Sequence, residues 1–286
     1  MERLLALAMG IMAGILFGLV AIFVRFLPQV DNVSIAFFRL FIGFWSLLLI
    51  LYFRRELREF FRLVRGYSWK HVALGALLAL HFIFYIAGIK HTTVLHAAIF
   101  VNTTPIQSLV FTVLIFRIKP KRREIAAVFL GFIGVTVITL TEIVTLSGNI
   151  IGDIESFLAA TFEAFYLIIG ADLRKKVDAR VLMASNCLLG SIVVFLYSLP
   201  FQGGIYAPLQ LNVILILLAL GILPTAVAHT LYIASVKVLK PYETSTVVLL
   251  EPITASLLAL ILFNEVPRIN SIIGSILIAT AIILLF

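Results

Sequence analysis

The chain has 286 residues, of which 62% are hydrophobic and only 13% are charged, about half the charged share of an average soluble domain. A soluble protein of this size could not bury so much apolar surface, so the composition excludes soluble, disordered and disulfide-rich classes. It predicts an all-α membrane protein that crosses the bilayer many times. The single cysteine, Cys187, can form no disulfide within the chain.

Ten apolar segments are long enough to cross a bilayer, which takes about 20 residues. In chain order these spans cover residues 4–26, 33–53, 70–89, 94–116, 125–141, 152–171, 181–199, 212–236, 243–263 and 269–286. Span one carries small residues at every fourth position from Ala6 to Gly18, a pattern that lets another helix approach closely.

The connections between spans set the orientation through their Lys and Arg residues. With the N-terminus in the cytoplasm, the inner segments hold eighteen of these residues and the outer segments hold only Lys90 and Arg268. Both termini are therefore predicted to be cytoplasmic. The net charge of +8 then reflects topology and contact with membrane lipids, and no nucleic-acid partner is expected. Residues 54–70 predict an amphipathic helix on the inner membrane surface.

The sequence partly repeats itself after 147 residues. Under this shift the pattern Tyr-x-Ala-x-x-Lys at 85–90 falls on the same pattern at 232–237, and Pro105 falls on Pro252. The shift maps span one onto span six, so each half has five helices, and this odd number predicts halves of opposite orientation. We expect one repeat over residues 1–143 and a second, inverted repeat over residues 148–286. Inverted repeats are typical of secondary transporters.

Several of these motifs resemble the EamA-like, ten-helix branch of the drug/metabolite transporter superfamily. The segments that carry the resemblance are Tyr232-Ile-Ala-Ser-Val-Lys237, Leu249-Leu-Glu-Pro-Ile253, Asn264-Glu265 and Gly274 in the second half, and Arg39, Tyr85-Ile-Ala-Gly-Ile-Lys90 and Thr104-Pro-Ile106 in the first. Two departures are the basic Lys119 and Lys121, where the family often has a Glu after span four, and Glu163, where it more often has a small or apolar residue. The resemblance implies a transporter whose relatives carry amino acids, metabolites or drugs.

Three helix faces pair an ionisable side chain with a tyrosine three or four residues away. The pairs are His81 with Tyr85, Glu163 with Tyr166, and His229 with Tyr232. An ionisable group inside a bilayer costs about 2.5–3.5 kcal/mol on insertion scales, so such groups need an internal role. These faces, with Asn102, are predicted to line a substrate cavity. The alternative interpretation is that the tyrosines only pack between helices.

Glu163 is the candidate for proton coupling, because a buried carboxylate can bind and release a proton. The alternative is a neutral Glu163 that hydrogen-bonds to a neighbouring helix backbone, to Asn102 or to Asn186. Arg39 and Glu251 are predicted to be structural or gating residues, with Glu251 accepting from a buried base such as Arg39. The alternative interpretation is that Arg39 binds a carboxylate group of the substrate.

Pro105 and Pro252 lie in spans four and nine at repeat-related positions. Proline removes a backbone donor and frees a carbonyl one turn earlier, so both spans are predicted to kink there. Kinks at equivalent positions in both halves are candidates for hinges or cavity walls.

Together these features predict a secondary transporter of small metabolites, with amino acids or amphipathic compounds as substrates. The expected mechanism is alternating access through a central cavity, with export as the direction and proton exchange as the coupling to be tested. A lipid or lipid-linked carrier flippase is the alternative. An integral-membrane enzyme is not expected, because H-E-x-x-H, P-loop and nucleophile-elbow motifs are absent from the sequence.

The expected partners are a small-molecule substrate and membrane lipids, with no cofactor and no metal site. The expected assembly is a monomer or a loose homodimer in the plasma membrane of a prokaryote.

Overall fold

The computed structural model describes residues 2–66, 68–92, 94–140, 149–202, 204–264 and 266–286, and every regular element in these ranges is a helix. Glu265 of the Asn264-Glu265 motif lies outside the described residues, as do the predicted ends of the two repeats at residues 143 and 148. The all-helical prediction is therefore confirmed for the part of the chain that the structure describes.

The helices follow one another with short connections. They are α1 (Glu2–Phe17), α2 (Leu19–Arg25), α3 (Asn32–Phe53), α4 (Leu57–Arg65), α5 (Trp69–His91), α6 (Val94–Val101), α7 (Thr104–Phe116), α8 (Arg122–Thr139), α9 (Ile150–Leu173), α10 (Ala179–Gln202), α11 (Leu211–Leu220), a π-helical segment (Gly221–Ala228), α12 (His229–Ser235), α13 (Pro241–Val248), α14 (Glu251–Phe263) and α15 (Ile269–Leu285).

Eight helical stretches among the described residues are long and apolar enough to cross a membrane, which establishes a polytopic membrane protein. Two helices that were also predicted to span fall short of this measure. Helix α15 has 17 residues, and α8 begins with three charged residues, Arg122, Arg123 and Glu124. Continuous α1 and α2 count as one stretch, as do α6 with α7 and α13 with α14.

Spans four and nine are each broken at equivalent positions. Where a kink was predicted, the structure has two separate half-helices. Helix α6 shifted by 147 residues has the bounds of α13, and α7 shifted by 147 has the bounds of α14. Pro105 and Pro252 occupy the second position of α7 and α14, where a helix needs no backbone donor. Both half-helices end at a residue in the left-handed region, Arg117 with φ 53° and Asn264 with φ 56°.

Contacts between the halves repeat under the same shift. A Cβ added at Gly43 of α3 would lie 3.2 Å from Sγ of Cys187 in α10, and one added at Gly190 would lie 3.2 Å from Cδ1 of Leu40. Because 40 and 43 correspond to 187 and 190, the two contacts are equivalent. The pairing of 43 with 187 and of 40 with 190 also means that α3 and α10 run antiparallel.

The glycine stripe of span one packs as its pattern predicts. Cβ atoms added at Gly10 and Gly14 would lie 3.1–3.2 Å from side chains of Val247 and Leu250, so this face of α1 lies directly against the broken span nine.

The π-helical segment marks one residue that the second half has in excess. A Cβ at Gly75 of α5 would lie 2.6 Å from Cβ of Leu189, and one at Gly221 would lie 2.6 Å from Cβ of Ile42, the equivalent of Leu189. Gly75 and Gly221 thus correspond with an offset of 146, whereas Tyr85 and Tyr232 correspond with an offset of 147. The wider turns of residues 221–228 absorb this single extra residue.

Candidate substrate cavity

A cavity of ≈ 280 Å³ lies between the two halves, where the breaks in spans four and nine face it. Its walls come from both halves, and they include ten of the eleven residues that the sequence analysis singled out. These are Arg39, His81, Tyr85, Asn102, Pro105, Glu163, His229, Tyr232, Glu251 and Pro252.

Glu163 of α9 is held by hydrogen bonds from both halves. Its Oε1 accepts from the hydroxyl of Tyr232 at 2.9 Å, and its Oε2 accepts from the hydroxyl of Thr104 at 3.1 Å. Nδ1 of His81 lies 3.8 Å from the same Oε2 and donates to the carbonyl oxygen of Ala159 at 3.0 Å. The donors to Glu163 are therefore not Asn102 or Asn186, since Asn102 donates instead to the carbonyl oxygen of Ala98 at 2.7 Å.

Arg39 of α3 also lines the cavity. Its Nε donates to Oγ1 of Thr225 at 3.2 Å, and its guanidinium lies over the ring of Phe82 with 4.6 Å from Cζ to the ring centroid. Thr225 belongs to the π-helical segment and donates its own hydroxyl hydrogen to the carbonyl oxygen of Leu220. The predicted ion pair with Glu251 is not formed between these two described residues, so Glu251 is not the partner that holds Arg39.

Aromatic rings enclose His229 on the cavity wall. The centroid of the imidazole lies 4.6 Å from the ring centroid of Phe17 and 5.8 Å from that of Phe82. Both contacts have edge-to-face geometry. His229 is 6% exposed, and its Nδ1 has no hydrogen-bond partner among the described residues. A buried polar atom without a partner is costly, so a ligand or water that bonds to it gains free energy.

Glu251 and Thr104 are equivalent positions, and each is the first residue of a half-helix that begins at the cavity. The N-terminus of a helix carries a partial positive charge, which favours an anion there. In the second half the chain itself supplies that anion, the carboxylate of Glu251. In the first half Thr104 takes the place, and it contacts the carboxylate of Glu163 instead.

Tyr166 is the one predicted cavity residue that the structure places elsewhere. It is 1% exposed, it lies in the hydrophobic core, and its hydroxyl contacts Sδ of Met183 at 3.7 Å. Three residues along an α-helix turn a side chain by about 300°, which leaves Tyr166 some 60° away from Glu163. On α9, which is packed on several sides, that angle is enough to move a side chain from the cavity into the core. Thr104 and Thr225, which the sequence analysis missed, supply hydrogen bonds at the cavity.

Ion pairs join the two halves at one end of the bundle, close to the N-terminus. Nζ of Lys240 lies 2.9 Å from both carboxylate oxygens of Glu124, and the hydroxyl of Tyr242 donates to the same group at 2.8 Å. Arg3 of α1 donates to Glu243 of α13 at 2.8 Å. These residues lie at the starts of spans one, five and nine, so the pairs connect the halves at this end.

The opposite end carries the corresponding pair of spans. Nδ1 of His96 in α6 lies 3.1 Å from the carboxylate of Asp153 in α9, and Thr92 donates to Asp153 at 2.7 Å. His96 and Glu243 are equivalent positions, and α9 is the equivalent of α1 and α2. Each end therefore has a polar side-chain contact between the same two structural elements, with a histidine in place of the glutamate.

The connection before α10 lies outside the membrane-spanning helices and contains a carboxylate, that of Asp178, which caps the start of α10. Oδ1 of Asp178 accepts from the backbone nitrogen and from Nε of Arg180, both at 2.9 Å. Partial burial alone would raise the pKa of Asp178, but the hydrogen bonds and positive charge of Arg180 outweigh it and hold the pKa below its usual value. Asp31, the equivalent residue, caps α3 in the same way through the backbone nitrogens of Val33 and Ser34.

Comparison with known proteins gives a single family. The sequence profile of the EamA-like transporter family matches the chain twice, over residues 4–140 and over residues 150–286. Two proteins of Archaeoglobus fulgidus, each described as an uncharacterized transporter, are 29% identical over 283 residues and 27% identical over 274 residues. Each alignment covers 96% of this chain and 93% of the relative. An uncharacterized transporter of Clostridium kluyveri is 26% identical over 193 residues, 65% of this chain and 61% of that protein.

Solved structures include chains of the same fold. A crystal structure superposes with a TM-score of 0.85 over 98% of this chain and 96% of the other, at 17% sequence identity.

Proposed function

Because this chain belongs to the EamA-like transporter family, we propose that it is a secondary transporter that carries a small organic solute through the central cavity. The family and its relatives make the chain a membrane transporter and not an enzyme. The proposal adds the site and the mechanism. The observation that carries it is a cavity between the two halves, walled by charged and aromatic side chains that the sequence pattern had already singled out.

The proposed substrates are amino acids or amphipathic compounds of similar size. Arg39 supplies a fixed positive charge on one wall, and Glu163 and Glu251 supply carboxylates on others. A zwitterion can satisfy both kinds of group at once, whereas a purely apolar solute would leave them unpaired at a cost. The rings of Phe17 and Phe82 favour an apolar or cationic portion of the solute.

The proposed mechanism is alternating access between two inverted five-helix repeats, residues 1–143 and 148–286. The double match of the family profile and the equivalent helix breaks support this arrangement. The equivalent polar contacts at the two ends support it further, because opening one end requires only one set of contacts to separate. The proposal also includes ten spans and two cytoplasmic termini. It places the protein in the plasma membrane of a prokaryote, because the relatives are archaeal and bacterial.

Proton exchange through Glu163 is the proposed coupling, and export is the proposed direction on the family resemblance. The hydroxyls of Tyr232 and Thr104 come from different halves and meet at this one carboxylate. A change in its protonation therefore acts on contacts that join the halves.

Counterflow in proteoliposomes tests the proposal. Vesicles loaded with a pool of unlabelled amino acids are mixed with labelled ones outside, with no ion gradient. We expect uptake of at least one labelled amino acid, and no uptake by Ala98→Trp, which places an indole in the cavity. Ala126→Trp on the exposed face of α8 is the matched control and keeps the activity. Absence of counterflow for every pool member by the folded wild type would contradict the amino-acid proposal.

A flippase for lipids or lipid-linked carriers is the second candidate, and the packing of α14 favours it. Glu251, Pro252 and Ala255 of this helix line the cavity, yet α14 has no buried residue. Little protein therefore covers the outer side of this cavity wall, as lateral entry of a lipid would require. Transfer of labelled lipid between leaflets, blocked by Ala98→Trp, would select this candidate over amino-acid transport.

A further inference from the structure

The amphipathic helix α4 carries positive charges that the protein itself leaves unneutralised. Arg58, Arg62 and Arg65 are exposed and lie at positions i, i+4 and i+7, which places them on one face. None of the three side chains has a hydrogen bond or ion pair to another described residue. They line an open groove of ≈ 610 Å³ together with Phe61 and Gly66.

Several charged residues beside α4 already have partners within the protein. Glu56, just before α4, accepts from Arg54 and Arg180, both at 3.1 Å. Lys70, just after the loop, donates to Asp172 at 2.5 Å. The carboxylates of Glu56 and Asp172 are thus already bonded to basic residues, and Glu59 of α4 itself adds negative charge near Arg180, so the arginine face is left for an anion from outside.

The apolar side of the same helix shows where that anion comes from. Phe60 is 3% exposed and packs against the ring of Phe44, with centroids 6.1 Å apart. Phe61, in contrast, is 48% exposed and stands between the arginines. Phe53 and Trp69, which end α3 and begin α5 on either side, are also exposed. An aromatic ring beside guanidinium groups at the end of two membrane helices matches the boundary between lipid headgroups and acyl chains.

We propose that the face of α4 formed by Arg58, Phe61, Arg62 and Arg65 is a binding site for the phosphate headgroup of an anionic phospholipid. The guanidinium groups bind phosphate oxygens, two at a time where the geometry allows, and Phe61 lies among the first acyl carbons. The site is next to the contact of Glu56 with Arg180, which joins the two halves. A lipid bound there stabilises α4 against both α3 and α10.

The test measures thermal unfolding of detergent-solubilised protein titrated with phosphatidylglycerol, with phosphatidylcholine and glycerol 3-phosphate as comparisons. Only phosphatidylglycerol should raise the midpoint. Near a membrane each basic residue strengthens binding of anionic lipid about fivefold, so Arg58→Gln/Arg62→Gln/Arg65→Gln should weaken it on the order of a hundredfold. Replacement of the same three residues by Lys should recover part of the lost affinity, because lysine supplies the positive charge but not the planar pair of donors of a guanidinium group.

The matched control removes three positive charges elsewhere at the same end, in Arg117→Gln/Lys119→Gln/Arg122→Gln. These residues are exposed as well, but they lie in or next to an extended connection rather than on an amphipathic helix. The control should keep the response to phosphatidylglycerol. The proposal is overturned if the α4 variant keeps the full response or if the control loses as much. An equal response of the wild type to glycerol 3-phosphate would overturn the lipid as occupant, and no response to any of them would overturn the site.

Discussion

Glu163→Gln separates proton coupling from solute transport, because the structure can accept the amide without rearrangement. The amide oxygen can still accept from the hydroxyl of Tyr232. The amide nitrogen faces Oγ1 of Thr104. The hydroxyl hydrogen of Thr104 then turns from this position to the carbonyl oxygen of Val101, 2.8 Å away, and its oxygen accepts from the amide. The substitution therefore removes a titratable group and keeps its hydrogen bonds, so we expect a folded protein with normal counterflow.

The expected effect on coupling follows from one proton per solute. A pH difference of one unit is worth about 1.4 kcal/mol per proton, which drives about tenfold accumulation of the solute. Wild-type vesicles should reach this ratio, and Glu163→Gln vesicles should stay at a ratio of about one. Glu251→Gln, which changes the other cavity carboxylate, should keep the tenfold ratio. Accumulation by Glu163→Gln that equals the wild type would refute the assignment, and loss only in Glu251→Gln would move it to that residue.

Three further predictions concern stability, each read from thermal unfolding in detergent. Because the pKa of Asp178 is lowered from its usual 3.8, its stabilisation is present above that pH and lost below it; the midpoint gap between wild type and Asp178→Asn should close on acidification. Gly134→Val places a side chain 2.8 Å from a backbone oxygen of α15 and should cost at least 1–3 kcal/mol, whereas exposed Ala126→Val should be neutral. Lys240→Met should cost about 3 kcal/mol by leaving Glu124 unpaired, and the added Glu124→Gln should recover most of it.

The composition and the hydropathy pattern predicted the polytopic, all-helical membrane fold because they depend on one dominant cost, that of exposing polar groups to lipid. Spans of nearly continuous apolar residues leave no other fold. The prolines of spans four and nine indicated a local disruption but not its size. Pro105 lies at the second position of a new helix because residues 102 and 103 form a turn, which depends on tertiary contacts that no local pattern contains.

The cavity residues were predicted from the same cost, since an ionisable group in a membrane helix has to face the interior. That argument gives a helix face only to within about 60°, which is why Tyr166 was assigned to the cavity although it lies in the core. It also cannot detect hydroxyl partners such as Thr104 and Thr225, because threonine is inexpensive in a membrane helix whether or not it has a role. The shift by 147 residues did contain a signal for Thr104, which occupies the position equivalent to Glu251.

The extra residue in the π-helical segment fixes the rotational phase of everything after it. Each residue of an α-helix advances the side-chain direction by about 100°, so an α-helical path through residues 221–228 would turn α12 by about that angle relative to α11. Gly221 must stay against Ile42, which sets the phase on one side. Deletion of one residue, such as Val227, would then let this segment form an ordinary α-helix with His229 and Tyr232 still directed at the cavity, because the first half spans the same distance with one residue fewer. A π-helical turn thus allows a membrane helix to gain a residue while the side chains on either side of the insertion keep their directions.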